Sequence, residues 1–145
     1  MSKGLALIWM NNRLINHSLH GVWDSTDPIG SHILAHTNLT EIQQALDLFW
    51  RNKVPANKLN LGLGFYGRSF QLSDLSCYTP GCNFKGGAAP GGCTQNSGTL
   101  SYREIMQIVD QNKLKPYYDK TDAVKYITWN QDQWVSYVRK WKQSQ

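Results

Sequence analysis

Apolar positions along this chain change their spacing several times, and each change marks an element. From Asn38 onward Ile42, Ala45, Leu46 and Phe49 recur at helical intervals and form one apolar stripe. Asn38 is a suitable N-cap, Glu41 completes a capping box, and Pro55 helps to end the helix. The run Leu59-Asn60-Leu61-Gly62-Leu63-Gly64-Phe65 is nearly continuous in apolar residues, as a parallel strand is when both faces are covered. Its glycines allow backbone or a ligand to approach closely. Helix, short linker and strand make half of a repeating β/α unit. The strand leads into Tyr66-Gly67-Arg68-Ser69-Phe70, and a polar, aromatic tip past such a strand is where α/β folds place ligand contacts.

The pattern beyond Phe70 is different. Gln71 to Thr99 contains no periodic segment, and a structureless loop of that length reads as part of an inserted subdomain. Ser101-Tyr102-Arg103-Glu104 is a second capping box, opening a helix with Ile105, Ile108 and Val109 inward. Ala123 to Trp129 alternates, Asn130-Gln131-Asp132 is a turn, and Gln133 to Tyr137 alternates again, which predicts a β-hairpin. Both glutamates of the chain, Glu41 and Glu104, thus fall at capping-box positions rather than in an acid/base pair.

Composition narrows the function classes. With 145 residues the chain has room for one modest domain, not for the roughly 250 of a full eight-stranded α/β barrel. Of the +5 net charge, Arg139, Lys140 and Lys142 supply three, so the basic character sits in a short tail and excludes a nucleic-acid platform. No apolar stretch is long enough to span a bilayer, and Gly4 to Met10 lacks the cleavage site of a signal peptide. The four histidines, His17, His20, His32 and His36, show no i, i+4 arrangement within a predicted helix and so no persuasive metal site, and no cofactor motif is present. Cys77, Cys82 and Cys93 share one Gly/Pro-rich loop, which fits a disulfide with one cysteine left over better than a zinc site. Asn16-His17-Ser18 and Asn38-Leu39-Thr40 are glycosylation sequons, usable only in a secreted chain. Six Trp and seven Tyr suit stacking on sugar rings, with core filling as the competing use.

The run from Leu59 to Phe70 resembles the seventh barrel strand of glycoside hydrolase family 18, the chitinases. Leu19-His20-Gly21-Val22-Trp23-Asp24 is similar to the segment after the family's sixth strand, and Cys77 to Ser101 resembles an insertion of fungal chitinases related to killer-toxin subunits. The likeness extends from about Leu19 to Tyr137. It implies a partial TIM (β/α)8 barrel, the region of strands six and seven, with an α+β insertion domain. Residues 1–18 are then an unmatched N-terminal segment, 19–69 the partial barrel, 70–137 the insertion domain and 138–145 a divergent basic tail.

By the same resemblance Tyr66 and Arg68 match the family's Tyr-Gly-Arg, whose Tyr and Arg hydrogen-bond sugar hydroxyl and acetamide groups. Trp23 matches a Trp that stacks on a leaving-side sugar, against a packing role. Asp24 is a candidate to accept a sugar hydroxyl, with the capping of a turn as its competing role. The family's Asp-x-x-Asp-x-Asp-x-Glu motif is absent, and Ile15-Asn16-His17-Ser18 stands where its sixth-strand Met-x-Tyr-Asp is expected. The family hydrolyses β-1,4 links of chitin by a substrate-assisted retaining mechanism, in which a Glu is the general acid. Without it this chain has no catalytic residue, and inactivity in isolation is the expectation. The partner is then chitin or a chito-oligosaccharide, and secretion is implied by the family. The alternatives are a non-catalytic chitin-oligosaccharide-binding module and a toxin-like subunit that completes a barrel with a complementary chain.

Overall fold

A computed structural model describes residues 18–59 and 64–138, together with the backbone of 7–10 and 13–16. The first two strands, β1 (Leu7–Met10) and β2 (Arg13–Asn16), pair antiparallel with Leu7 opposite Asn16. A turn of 3-10 helix, Val22–Thr26, comes next, and then α1, Leu39–Arg51. Asn38 caps α1 as its sequence position predicts, its side-chain oxygen accepting from the Glu41 N–H at 3.2 Å.

The centre of the molecule is an antiparallel sheet of β3 (Tyr66–Leu72), β4 (Phe84–Gly87), β5 (Thr99–Ser101), β6 (Tyr117–Asp119), β7 (Val124–Trp129) and β8 (Gln133–Tyr137). The order is β4-β3-β8-β7-β6, with β5 joining β3 beside β4. The predicted hairpin is β7–β8, with Lys125 opposite Tyr137 and Trp129 opposite Gln133. Its turn places Asn130 and Gln131 at φ of 47° and 70°, a left-handed conformation that Asn tolerates better than most residues. The second capping box opens α2 (Tyr102–Gln111) through reciprocal bonds between Ser101 and Glu104.

Three expectations change. Residues 60–63 of the expected strand Leu59–Phe65 lie outside the described residues, and the strand that is seen nearby begins at Tyr66. Tyr66 and Arg68 therefore stand inside a strand rather than on a tip beyond one, and the boundary between 69 and 70 falls within β3. The continuous apolar run was the stronger local signal. What makes Tyr66–Leu72 a strand is pairing on both edges with segments far along the chain, Thr99–Ser101 on one side and Gln133–Ser136 on the other. Among the described residues every strand pairing is antiparallel, so the parallel barrel unit is not represented there. The loop from Gln71 to Thr99 holds β4, whose Phe84-Lys85-Gly86-Gly87 carries little strand propensity and becomes a strand by pairing with β3.

The two faces of the sheet are covered differently. On one, Phe70, Leu72, Phe84, Tyr126 and Trp134 form an aromatic layer with Ile33 and Cys82. Trp134 is fully buried and its indole N–H donates to the Tyr78 carbonyl at 3.0 Å. The cover of this face is stitched by backbone bonds, Ile33 N–H to the Cys82 carbonyl at 2.8 Å and Phe84 N–H to the Ser31 carbonyl at 2.9 Å. Cys77 and Cys82 form a disulfide within that cover, and Cys93 is free and exposed. On the opposite face Leu100, Ile127, Val135 and Tyr137 lie under Ile105 of α2. Gly67 is required there, because a Cβ would press on the Ser136 carbonyl at 2.5 Å and on the Val135 and Ile105 side chains.

Candidate functional site

The two-residue period of β3 sends Tyr66, Arg68 and Phe70 to the same face of the sheet. At Phe70 that face is closed over by the aromatic layer. Towards Tyr66 the cover thins, and Tyr66 and Arg68 are half-buried. Arg68 pairs across the ladder with Thr99 on one side and Ser136 on the other. Its Nη1 donates to Thr99 Oγ1 at 2.7 Å and its Nε to Ser18 Oγ at 3.2 Å. Ser18 Oγ lies 2.7 Å from the Tyr66 hydroxyl, so one serine links both side chains.

Two rings flank the guanidinium. Its carbon is 4.7 Å from the centroid of Trp23 and 5.3 Å from that of Tyr66. Both distances lie within cation–π range. Among the described residues Arg68 has no carboxylate within salt-bridge distance, so a structural ion pair does not account for it. The contacts it does make leave further guanidinium N–H groups uncommitted. The arrangement presents a ring face, a phenol and a cation side by side, which is suited to a neutral polyhydroxylated ligand that offers acceptor oxygens and C–H faces.

The 3-10 turn brings Trp23 to this place. Trp23 is 39 % exposed, and its ring lies so close to the backbone of Gly21 that a Cβ there would collide with it. Asp24, the neighbouring residue, goes inward instead. It is 3 % exposed, with Oδ2 at 2.9 Å from His20 Nδ1 and 3.4 Å from the Gly21 N–H. The carboxylate is turned into the protein, where it closes its own turn, the competing role that the sequence offered for it beside the sugar-hydroxyl one. Glu41 is not the full capping-box partner expected, because its Oε2 lies 2.7 Å from His20 Nε2.

Behind Tyr66 stands His36, stacked on its ring with centroids 5.1 Å apart. Burial, followed by the positive charges of Arg68 and His20, pulls the His36 pKa down to about 4. It is neutral near pH 7, and neither ring nitrogen has a partner among the described residues. Glu104, the other glutamate, is occupied by structure. It accepts from the Cys93 and Thr94 N–H groups at 2.7 and 2.9 Å and from the Ser101 N–H at 2.8 Å. Burial pushes its pKa up, but the Thr94 N–H, the Ser101 hydroxyl and the Ser101 and Cys93 N–H groups outweigh it and hold the carboxyl at about 2.

Of the four residues named from sequence, three converge: Trp23, Tyr66 and Arg68. Ser18, Thr99, His20 and His36 were missed. Ser18 did carry a signal, since it stands where the signature's Asp is expected; a hydroxyl at that place keeps a contact with both Tyr66 and Arg68. Thr99 is reached only through strand pairing, which no local pattern shows.

The chain is similar to known proteins both in sequence and in fold. The sequence profile of glycosyl hydrolases family 18 matches residues 13–142. The match begins before Leu19 and ends beyond Tyr137, so part of the segment read as unmatched, and most of the basic tail, lie inside it. A secreted chitinase of Penicillium expansum, LysM12, is 32% identical over 86% of the chain and 9% of its own length. The killer toxin subunits alpha/beta of Kluyveromyces lactis are 32% identical over 68% of the chain and 9% of their length. Human YKL-39, described as a pseudo-chitinase with retained chitooligosaccharide binding, superposes with a TM-score of 0.70 at 25% identity over 83% of the chain and 34% of its own. The chain thus spans about a tenth of those curated relatives and about a third of that solved one.

Proposed function

The chain belongs to glycosyl hydrolases family 18, and from that premise we propose that the surface formed by Trp23, Tyr66 and Arg68 binds chito-oligosaccharides. The family and its solved members imply a TIM-barrel-type fold for the whole protein. The observation that carries the reading is Arg68 itself. It is held by Ser18 and Thr99, flanked by two aromatic rings and without a carboxylate partner among the described residues.

In this reading the Trp23 face packs on the apolar C–H face of a pyranose. Arg68 donates to an acetamide or hydroxyl oxygen, and the Tyr66 hydroxyl donates to or accepts from a neighbouring one. A whole family member cleaves β-1,4 links by the substrate-assisted route, with a glutamic acid protonating the leaving oxygen. The 145 residues contain no Asp-x-x-Asp-x-Asp-x-Glu motif, and the general acid's contribution of roughly 10²–10⁴-fold has no source in them. The chain alone is then a binding surface without turnover. The human pseudo-chitinase, which binds chitooligosaccharide, is the relative that supports such a state. A complementary chain is not needed for this reading. Secretion is supported by the relative named a secreted chitinase and by the Cys77–Cys82 disulfide, which persists in oxidising compartments.

Titration with the N-acetylglucosamine hexamer, monitored by tryptophan fluorescence, tests this. A saturable change is expected, and Arg68→Ala should weaken it about tenfold, the worth of one or two hydrogen bonds to a charged donor. No change at any hexamer concentration, or equal affinity in the variant, would remove the assignment. Measurable hydrolysis of the hexamer by purified chain would remove the inactivity.

A further inference from the structure

His20 is buried, at 6 % exposure, yet both of its ring nitrogens meet a carboxylate. Nδ1 lies 2.9 Å from Asp24 and Nε2 lies 2.7 Å from Glu41. An ionised carboxylate only accepts, so each contact needs a proton on the ring nitrogen, and a neutral imidazole carries one proton rather than two. The ring that satisfies both is the imidazolium. Burial opposes that charge, but the hydrogen bonds and negative charges of Glu41 and Asp24 outweigh it, and the pKa is raised above 6.5.

The two carboxylates come from different elements. Asp24 sits in the 3-10 turn that carries Trp23, and Glu41 in the first turn of α1. The geometry points to His20 as a positioning residue of the saccharide surface. As a cation it clamps the Trp23 turn to α1, and so holds Trp23 over Arg68. This inference rests on the binding role given above to Trp23 and Arg68.

The other charged groups around the clamp act in the same frame. Asp122, whose carbonyl accepts the Leu39 N–H at 3.2 Å, lies at the same helix start. Burial raises its carboxyl, with the Asp119 and Glu41 charges adding to this and His20 opposing it. Of the other basic groups, His36 feels the charges of both His20 and Arg68 and remains neutral, so it does not compete for the carboxylates. As pH rises through the folded pKa of His20, one nitrogen loses its proton and faces a carboxylate lone pair to lone pair. The clamp then opens on one side, and Trp23 is no longer fixed over Arg68.

The test uses the full chain labelled with ¹⁵N-histidine. Long-range proton–nitrogen spectra should show both His20 nitrogens protonated near pH 6, with a midpoint above 6.5 that Glu41→Gln lowers. The Trp23 indole resonance should shift with the same midpoint. Hexamer affinity should fall about fivefold across it, the loss of one charged hydrogen bond that orients the ring. In Glu41→Gln that fall should move to lower pH with the His20 midpoint. A singly protonated His20 near pH 6, or a Trp23 resonance indifferent to the His20 titration, would overturn the clamp whether or not hexamer binds. If hexamer binds at no pH while Trp23 still tracks His20, the clamp stands and the saccharide reading falls.

Discussion

The two faces of the central sheet solve opposite problems with the same strands. One face is mainly aliphatic and closed: Leu100, Ile127 and Val135, with Tyr137, lie under Ile105, all from a stretch of chain between Leu100 and Tyr137. The other is aromatic and borrowed: Phe70, Phe84 and Trp134 are covered by Ile33 and by the disulfide-closed loop, drawn from distant sequence. The first face ends at its helix. The second continues along β3 to Arg68 and Tyr66, where the aromatic habit persists but the cover gives way to polar partners. The core and the candidate site therefore share one strand and one face of it, with Phe70 only two residues from Arg68. A substitution on β3 acts on the core or on the site according to whether its position is closed over.

Experiments can break that contrast in order of effect. Trp134→Ala removes the centre of the aromatic face and leaves the Tyr78 carbonyl without its donor. It should cost about 4 kcal/mol, read as a lowered denaturant midpoint. A loss below about 1 kcal/mol would show that this face is not a packed core. On the opposite side, Glu104→Ala uncaps α2 and frees the Cys93, Thr94 and Ser101 N–H groups together. A loss of about 3 kcal/mol is expected, since each buried unpaired donor costs on the order of 1–3 kcal/mol. The linkage has a sign. The Glu104 pKa is depressed from 4.5 to about 2, so its contribution is present above about pH 4.5 and is lost as pH falls towards 2. A variant that shows the same acid limb as the parent would contradict this.

Reducing the Cys77–Cys82 bridge sharpens the comparison, because it loosens only the borrowed cover. With a sequence separation of 5 the closed loop is small, and the expected loss is about 2 kcal/mol. Hydrogen exchange should accelerate around 31–33 and 81–84 while α2 keeps its protection. Uniform acceleration would mean that the two faces unfold as one unit. The smallest effect on stability is expected from Arg68→Ala, which changes affinity while the midpoint moves by less than about 1 kcal/mol.

Much of this was legible in local sequence, for local reasons. The caps at Asn38 and Ser101, the hairpin around Asn130, and the grouping of Trp23, Tyr66 and Arg68 all showed through short spacings or a motif. The strand Tyr66–Leu72 was not foreseen, because its neighbours in sequence look more like a strand than it does. Its partners are Thr99–Ser101, Phe84–Gly87 and Gln133–Ser136, none of them adjacent in the chain. Asp24 illustrates the same limit on a single side chain. Beside a Trp at a loop tip it suits a ligand contact as well as a turn cap, and only the positions of His20 and Gly21 decide between them.

The sequence by itself determined which residues would start helices and which would turn, and it singled out Trp23, Tyr66 and Arg68, three side chains that the fold brings together. Capping, left-handed turns and side-chain chemistry depend on a few neighbouring atoms. The tertiary structure alone decided that Arg68 would rest on Ser18 and Thr99 between two rings, and that His20 would bridge Asp24 and Glu41. Those contacts join positions as far apart as 50 residues in the chain, and their energies exist only once the loops between them have been closed.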